Sequence, residues 1–277
     1  MPMLLEETLA LLGRFGVCLD SSLDEQQLVD QGVVELLISA AEIEKRDTVL
    51  EVGSGVGNIT SSLTGKADRV VAVEKNPKFI PILRERFGNL PNFDLILGDA
   101  LRVQLPRFDK VVSNLPYSIC EAFLQRLTRC DFSLAALITS TSFAETINAK
   151  EGDIGYTKLS LISRTFFDVE YMEEVSAKAY YPEPKHSTSI IRIKTRKASA
   201  KWESILRGVL VQRDKKLMNA LREAMIVASN VEDPLTKRTA KAFIETADLG
   251  SMLGKRVARL SLQDLQRLSE IVKSIRN

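Results

Sequence analysis

In the first half of the chain, one β-rich run after another ends in a glycine or a polar residue, and that repeat leaves few folds open. Thr48–Val52 runs into Gly53-Ser-Gly55-Val-Gly57-Asn58, and Arg69–Glu74 ends in its own acid. Phe93–Leu97 is followed by Gly98-Asp99, and Asp109–Ser113 by Asn114-Leu-Pro-Tyr117. Between them lie helical stretches, from Gly57 to Thr64, from Pro77 to Phe87 and from the Asn114 turn to Arg129. A fifth strand, Leu134–Thr139, and a short helix, Phe143–Ala149, follow. Strands alternating with helices predict an α/β fold, a mainly parallel sheet with helices on both faces. Ligands of such sheets lie beyond the carboxyl ends of the strands. Gly53–Gly57, Glu74, Asp99 and Asn114 all fall at such ends, so they are expected to be neighbours in space.

Each of these ends has a chemistry. Gly53, Ser54 and Gly55 let the backbone approach a ligand closely between strand and helix. Glu74 lies 21 positions after Gly53, the spacing at which a carboxylate accepts from ribose hydroxyls. The glycines read G-x-G-x-G and lack the third glycine of the dinucleotide fingerprint, which favours a nucleoside over a pyrophosphate. Asp99 can accept from an adenine amino group. Ribose acid, adenine acid and glycine loop together suggest an S-adenosylmethionine site, the alternative being that both acids merely cap strand ends. At Asn114-Leu115-Pro116-Tyr117 the proline stiffens the turn and biases Leu115 towards an extended backbone. An amide, a free carbonyl and an aromatic ring are left at one strand end. An exocyclic amine on a flat ring could use all three, by donating to the oxygens and stacking on the tyrosine. An ordinary Asn-x-Pro turn before a helix is the plainer reading.

The chain has 277 residues, 45% hydrophobic and 27% charged, enough for one large and one smaller domain. No apolar run approaches the roughly 18 residues of a membrane span. Glu6 and Glu7 precede the apolar patch at Leu9–Leu12, where a signal peptide would be positive, so a cytoplasmic protein is expected. Cys18, Cys120 and Cys130 show no metal spacing, and the one histidine, His186, lacks partners for a metal site or a triad. No metal is expected. Residues 197–277 hold 16 Lys and Arg against 9 Asp and Glu, a net of +7, while the other 196 residues hold 22 against 27, a net of −5. A basic C-terminal region on an acidic body suggests a polyanionic partner, or else only a solvated helical surface.

Residues 1–24 read as a partly ordered arm or a short helix with a turn near Gly16. Leu28, Val33, Val34, Leu36, Leu37 and Ile38 predict a helix from Glu25 to Ala41. Thr165–Glu170 and Thr188–Lys194 read as two further strands around Tyr180-Tyr181-Pro182-Glu183-Pro184. After Thr195 the spacing is helical throughout: Trp202–Val211, Asp214–Ala228, Leu235–Thr246 and Ser261–Ile275, with Gly250 and Gly254 in a connection.

Val49-Leu-Glu-Val-Gly-Ser-Gly55-Val-Gly57, Val73-Glu74, Gly98-Asp99-Ala100 and Asn114-Leu-Pro-Tyr117 resemble the motifs of the adenine-N6 dimethyltransferases of ribosomal RNA, the KsgA/Dim1 family, in an archaeal-like form. Ala179-Tyr180-Tyr-Pro-Glu-Pro-Lys185 is similar to that family's F-x-P-x-P-K. Gln212–Leu221 resembles its basic helix and Lys255–Leu262 its closing segment. The resemblance runs from residue 25 to the C-terminus in the right order. It implies a Rossmann-like methyltransferase domain over residues 1–195 and a small all-helical RNA-binding domain over 196–277. It implies dimethylation of adenine N6 in small-subunit ribosomal RNA, with S-adenosylmethionine as cofactor and an immature small ribosomal subunit as partner, by a monomer. Asn114 and the Leu115 carbonyl would hold the amine, with Pro116 fixing the turn. Tyr117 and Tyr180 would stack on the base. Glu25, Gln26, Leu28, Gly53, Ser54, Gly55, Glu74, Lys75, Asp99, Ala100 and Asn114 would surround the cofactor. Arg213, Lys215, Lys216 and Arg222 would grip phosphate.

The chain also departs from that pattern. Where the family opens with Q-x-F-L-x-D, this sequence has Glu25-Gln-Gln-Leu28-Val-Asp30. Where the family has Q-x-E-x-A-x-R, it has Ser140-Thr-Ser142-Phe-Ala144-Glu-Thr146. Tyr180 replaces a phenylalanine and His186 a valine. Two other classes stay open: a ribosome-assembly factor with weak or no methylation, and a methyltransferase for another planar amine or amide, in DNA, large-subunit RNA or a protein glutamine.

Overall fold

The computed structural model describes residues 4–229 and 234–274. In chain order its elements are α1 (Leu4–Arg14), β1 (Gln27–Leu28), α2 (Gln31–Ala40), β2 (Thr48–Val52), α3 (Asn58–Thr64), β3 (Arg69–Glu74) and α4 (Ile80–Phe87). Then come β4 (Phe93–Leu97), β5 (Lys110–Asn114), α5 (Cys120–Leu127), β6 (Leu134–Ser140), α6 (Thr141–Asn148), α7 (Lys158–Phe166) and β7 (Phe167–Val175). The chain continues through β8 (Tyr180–Tyr181), β9 (Thr188–Thr195), α8 (Lys201–Leu210), α9 (Leu217–Val227), α10 (Lys237–Thr246) and α11 (Leu262–Ser274). By packing, these elements form two units, residues 1–148 with 168–195 and residues 149–167 with 196–277.

The first unit is built on a seven-stranded sheet in the order β4-β3-β2-β5-β6-β9-β7. From β4 to β6 the pairs are parallel, and β9 joins β6 antiparallel. The inner strands β2 and β6 are almost wholly buried, which is why Thr48–Val52 and Leu134–Ser140 read as nearly unbroken apolar runs. The edge strands β4 and β7 are more exposed. Lys110 is buried within β5, where its ammonium donates to Ala41 O at 3.1 Å and pairs with Asp47 at 3.4 Å. One core cluster joins Val34, Leu37 and Ile38 of α2 to Val49, Ile59, Val112 and Ile138. Another joins Leu11 and Leu12 of α1 to Val56, Ile82, Leu83 and Phe87. Residues 1–24 thus hold a docked helix over Leu4–Arg14. Thr8 Oγ1 accepts from Asn58 Nδ2 at 2.8 Å, and Glu7 accepts from Arg86 at 2.8 Å.

Two of the expected elements change. No helix runs from Glu25 to Ala41: Asp30 accepts from Val33 N at 3.1 Å and starts α2 at Gln31. Gln27 and Leu28 instead pair antiparallel with Tyr181 and Tyr180, a ladder between distant segments that local periodicity does not encode. The strand expected over Thr165–Glu170 begins only at Phe167, because Thr157 and Ser160 form a capping box that starts α7, whose face of Leu159, Ile162 and Phe166 is buried.

The second unit is helical. Helices α8 and α9 pack so closely at Gly208 that a Cβ there would come within 2.8 Å of the Ala224 Cβ. Lys158 of α7 donates to Ala258 O and Leu260 O, each at 2.9 Å, and Gln266 of α11 donates to Glu151 at 3.0 Å. Residues 149–167 therefore cluster with the C-terminal helices, although they precede residue 195. Leu217 N donates to Lys255 O at 2.8 Å, Val257 N to Lys215 O at 3.0 Å and Ala258 N to Arg213 O at 2.9 Å. Those bonds lay the two basic segments, 213–216 and 255–259, side by side.

Candidate active site

The chain steps from β2 to β3 and β4 on one side, then returns to β5 and β6 on the other, so the strand order reverses between β2 and β5. That is where an α/β sheet binds ligands. A cavity of about 550 Å3 opens there, lined by Gly53, Glu74, Asp99 and Asn114 from four consecutive strand ends and by residues 22–28. Its volume suits a small organic cofactor.

The glycine loop is required by its surroundings. At Gly55 (φ +55°) a Cβ would stand 2.1 Å from Gln27 Oε1, the atom that accepts from Val56 N at 3.0 Å. At Gly57 (φ +89°), which begins α3, a Cβ would strike the Phe87 ring at 2.4 Å. Ser54 is buried, and its Oγ has no hydrogen-bond partner among the described residues.

Glu74 closes the next strand. Its Oε2 accepts from Gly55 N at 2.9 Å and its Oε1 from Asn76 N at 2.7 Å. Burial pushes its carboxyl above the usual range, against the pull of those N–H groups. Each oxygen keeps a second lone pair for a hydroxyl. Asp99 Oδ1 accepts from Leu101 N at 2.9 Å, and Oδ2 pairs with Lys75 at 3.3 Å. The Leu101 N–H, with help from Lys75, holds Asp99 below the usual range. Lys75 lines the cavity with a side chain that is 73% exposed. Ala100 is buried, and its carbonyl accepts from Arg126 at 2.7 Å.

At the end of β5, Asn114 Nδ2 donates to Gln26 O at a long 3.5 Å, while Oδ1 is buried without a partner among the described residues. Leu115 N donates to Ile138 O at 3.0 Å, which ties the turn to β6. The Pro116 ring lies against Gly53, whose missing Cβ would be 3.1 Å from Pro116 Cγ. Asparagine turn and glycine loop therefore touch. Tyr117 is half-buried, and burial, with Asp24 and Cys120 nearby, pushes its phenol up to about 12.

Leu115, Tyr117 and Tyr180 do not line the cavity. The Leu115 side chain is buried, and its carbonyl is approached by Cys120 Sγ at 4.0 Å. Tyr180 lies in the core at 3% exposure, its hydroxyl 2.8 Å from Thr188 Oγ1. Gln26 and Leu28 reach the cavity from β1 and the segment before it, and Glu25 lines it with a carboxylate that accepts from Asn76 Nδ2, Lys78 Nζ and Asp20 N. In the second unit, Lys215 pairs with Glu223 and Lys216 is exposed. Arg213 is half-buried, as is Arg222, whose Nε is buried without a partner among the described residues. Sequence reading missed residues 20–24 and Asn76. Asp24 accepts from Ser118 N at 2.9 Å beside the asparagine turn, and Asn76 joins Glu74 to Glu25. The available signals were the turn-forming Asp20-Ser-Ser22 and Asn76-Pro77, both N-caps of single helical turns.

S-adenosylmethionine fits these residues. The cavity has the volume, Glu74 has free lone pairs for ribose hydroxyls, and Ser54 Oγ is a buried polar atom without a partner among the described residues. Among the described residues no group of acids, histidines and cysteines could hold a metal, and no helix is long and apolar enough to cross a membrane.

The order of strands and the contents of the cleft define an S-adenosylmethionine-dependent methyltransferase. A dimethyladenosine transferase from Plasmodium falciparum superposes with a TM-score of 0.58 at 25% identity, over 86% of this chain and 94% of that one. The 23S rRNA methyltransferase ErmE shares the fold at the same TM-score of 0.58 and 23% identity, over 89% and 99% of the two chains. Probable ribosomal RNA small subunit methyltransferase A of Thermococcus onnurineus is 32% identical over 97% of each chain. Its namesake from Methanothermobacter thermautotrophicus is 32% identical over 97% of this chain and 96% of its own. Residues 19–247 match the family described as Ribosomal RNA adenine dimethylase. The chain belongs to that family: it is a ribosomal RNA adenine dimethyltransferase.

Proposed function

We propose that the enzyme dimethylates adenine N6 in the small-subunit ribosomal RNA of immature subunits, with Asn114 holding the reacting amine. The observation that carries this reading is Asn114 Oδ1 at the end of β5, beside the glycine loop, buried and without a partner among the described residues. Bound S-adenosylmethionine supplies an electrophilic methyl group on a sulfonium. The N6 lone pair of adenine is delocalised into the ring and is a weak nucleophile. An N6–H donated to Asn114 Oδ1, and a second to the Leu115 carbonyl, favour a more tetrahedral nitrogen whose lone pair can attack. Pro116 keeps both oxygens in place, and Tyr117 supports one face of the base. Positioning and preorganised dipoles supply the rate, with no strong base needed to begin. Tyr180, packed in the core, acts by holding β8 against β1 and so fixing Leu28. The target base must leave its stack to reach the turn.

Gly53, Ser54 and Gly55 would cradle the cofactor, Glu74 its ribose, and Asp99 and Ala100 its adenine, with Lys75 acting through Asp99. Gln26 and Leu28 would close the near wall. The C-terminal helical region, residues 196–277, would bind RNA through Arg213, Lys215 and Lys216, with Arg222 supporting them. The relatives' names supply the small-subunit assignment. A monomer acting in the cytoplasm suffices for all of this.

Reversing charge in Lys215→Glu/Lys216→Glu should weaken RNA binding and flatten its salt dependence by about two contacts' worth of slope. Unchanged slope and affinity in filter binding would remove this region from the interface. The functional assignment itself is tested by incubating the enzyme with labelled S-adenosylmethionine and immature small or large subunits. Label is expected on the small-subunit RNA, and label confined to the large subunit would overturn the substrate.

A further inference from the structure

Between α1 and β1 the chain crosses the edge of the cavity, and from Cys18 to Gln27 its side chains and carbonyls are tied to three strand ends. Asp24 accepts from Ser118 N after β5, and Gln27 Oε1 accepts from Val56 N after β2. The densest tie is to the loop after β3. Glu25, 5% exposed, accepts from Asn76 Nδ2 at 2.7 Å through Oε1, and from Lys78 Nζ at 2.5 Å and Asp20 N at 2.6 Å through Oε2. Lys78 Nζ also donates to Cys18 O at 2.8 Å, so one ammonium holds the crossing segment at two points.

We propose that Glu25, Asn76 and Lys78 are positioning residues for cofactor binding, and that Glu25 sets the cavity wall instead of touching the cofactor. The proposal rests on the reading of the cavity as the S-adenosylmethionine site. Three donors already occupy the Glu25 carboxylate, which leaves it little capacity for a ligand. Asn76 and the Glu25 backbone carbonyl link Glu25 to the cofactor-binding groups. Asn76 N donates to Glu74 Oε1 at 2.7 Å, and Gln27 Nε2 donates to Glu25 O at 2.8 Å while its Oε1 faces the glycine loop. A shift of Glu25 therefore moves both the ribose acid and the loop. An amide cannot replace the carboxylate, because Asn76 Nδ2, Lys78 Nζ and Asp20 N are all donors and glutamine offers only one acceptor atom. Removing either charge strands the other in a mostly buried place.

The test is a double-mutant cycle read by calorimetric S-adenosylmethionine binding, steady-state kinetics and thermal midpoint. Glu25→Gln and Lys78→Met should each raise the KM and Kd for S-adenosylmethionine about tenfold, with kcat within about twofold of wild type. The double variant should lose less than the product of the two single losses, and Lys78→Arg should restore binding. Unchanged KM in Glu25→Gln, a fall in kcat at constant KM, or strictly multiplicative losses would overturn the proposal. Loss of thermal stability without the KM effect in the folded fraction would also overturn it, leaving a purely structural pair. A wild-type enzyme that bound no S-adenosylmethionine would overturn the cofactor reading itself, a result distinct from any of these.

Discussion

Asn114→Ala should all but stop methyl transfer, by about 10²–10³ in kcat, while leaving S-adenosylmethionine binding nearly intact: that is the largest effect expected of any single substitution. The residue closes β5 with its Oδ1 buried and without a partner among the described residues. Removing one preorganised oxygen at a reacting centre costs about 10²–10³ in kcat. The backbone turn survives, because Leu115 N remains bonded to Ile138 O and Pro116 remains against Gly53. Single-turnover transfer of labelled methyl, with calorimetry alongside, separates the two effects. Unchanged turnover would remove Asn114 from the reaction, and lost cofactor affinity would move its role to the cofactor.

Glu74→Ala should act on the other side of the cleft. Its carboxylate holds Gly55 N and Asn76 N and keeps two lone pairs for hydroxyls. A hydrogen bond to a charged group contributes about 1.5–3 kcal/mol, so loss of the ribose contacts should weaken S-adenosylmethionine binding on the order of a hundredfold. Glu74→Gln, which keeps an acceptor, should lose less. Because the alanine also strands Gly55 N, some loss of stability accompanies it. Unaltered affinity in calorimetry would return Glu74 to a structural role.

Much of this cleft was legible in the sequence because its parts sit at strand ends, and strand ends are marked locally. Gly53, Glu74, Asp99 and Asn114 each follow an apolar run and were expected to converge, as the cavity shows. The crossing segment was legible only at Glu25 and Gln26, through the family resemblance, and its ties were not. Its side chains have no helical or strand period, and its partners Asn76, Lys78 and Ser118 are dozens of residues away. The same holds for Tyr180, whose burial depends on Leu28 and Thr188 and on a two-residue ladder. Helix α7 escaped notice for a different reason. Its capping box at Thr157 and Ser160 is short, and the following Phe166-Phe167 reads equally well as strand.

Nucleoside mass spectrometry of small-subunit RNA, taken from immature particles treated with enzyme and S-adenosylmethionine, addresses the reaction most directly. N6,N6-dimethyladenosine is expected in that RNA, absent when Asn114→Ala replaces the wild type. Particles that bind the enzyme tightly yet yield no methylated adenosine would contradict the enzymatic reading and leave an RNA-binding assembly factor in its place.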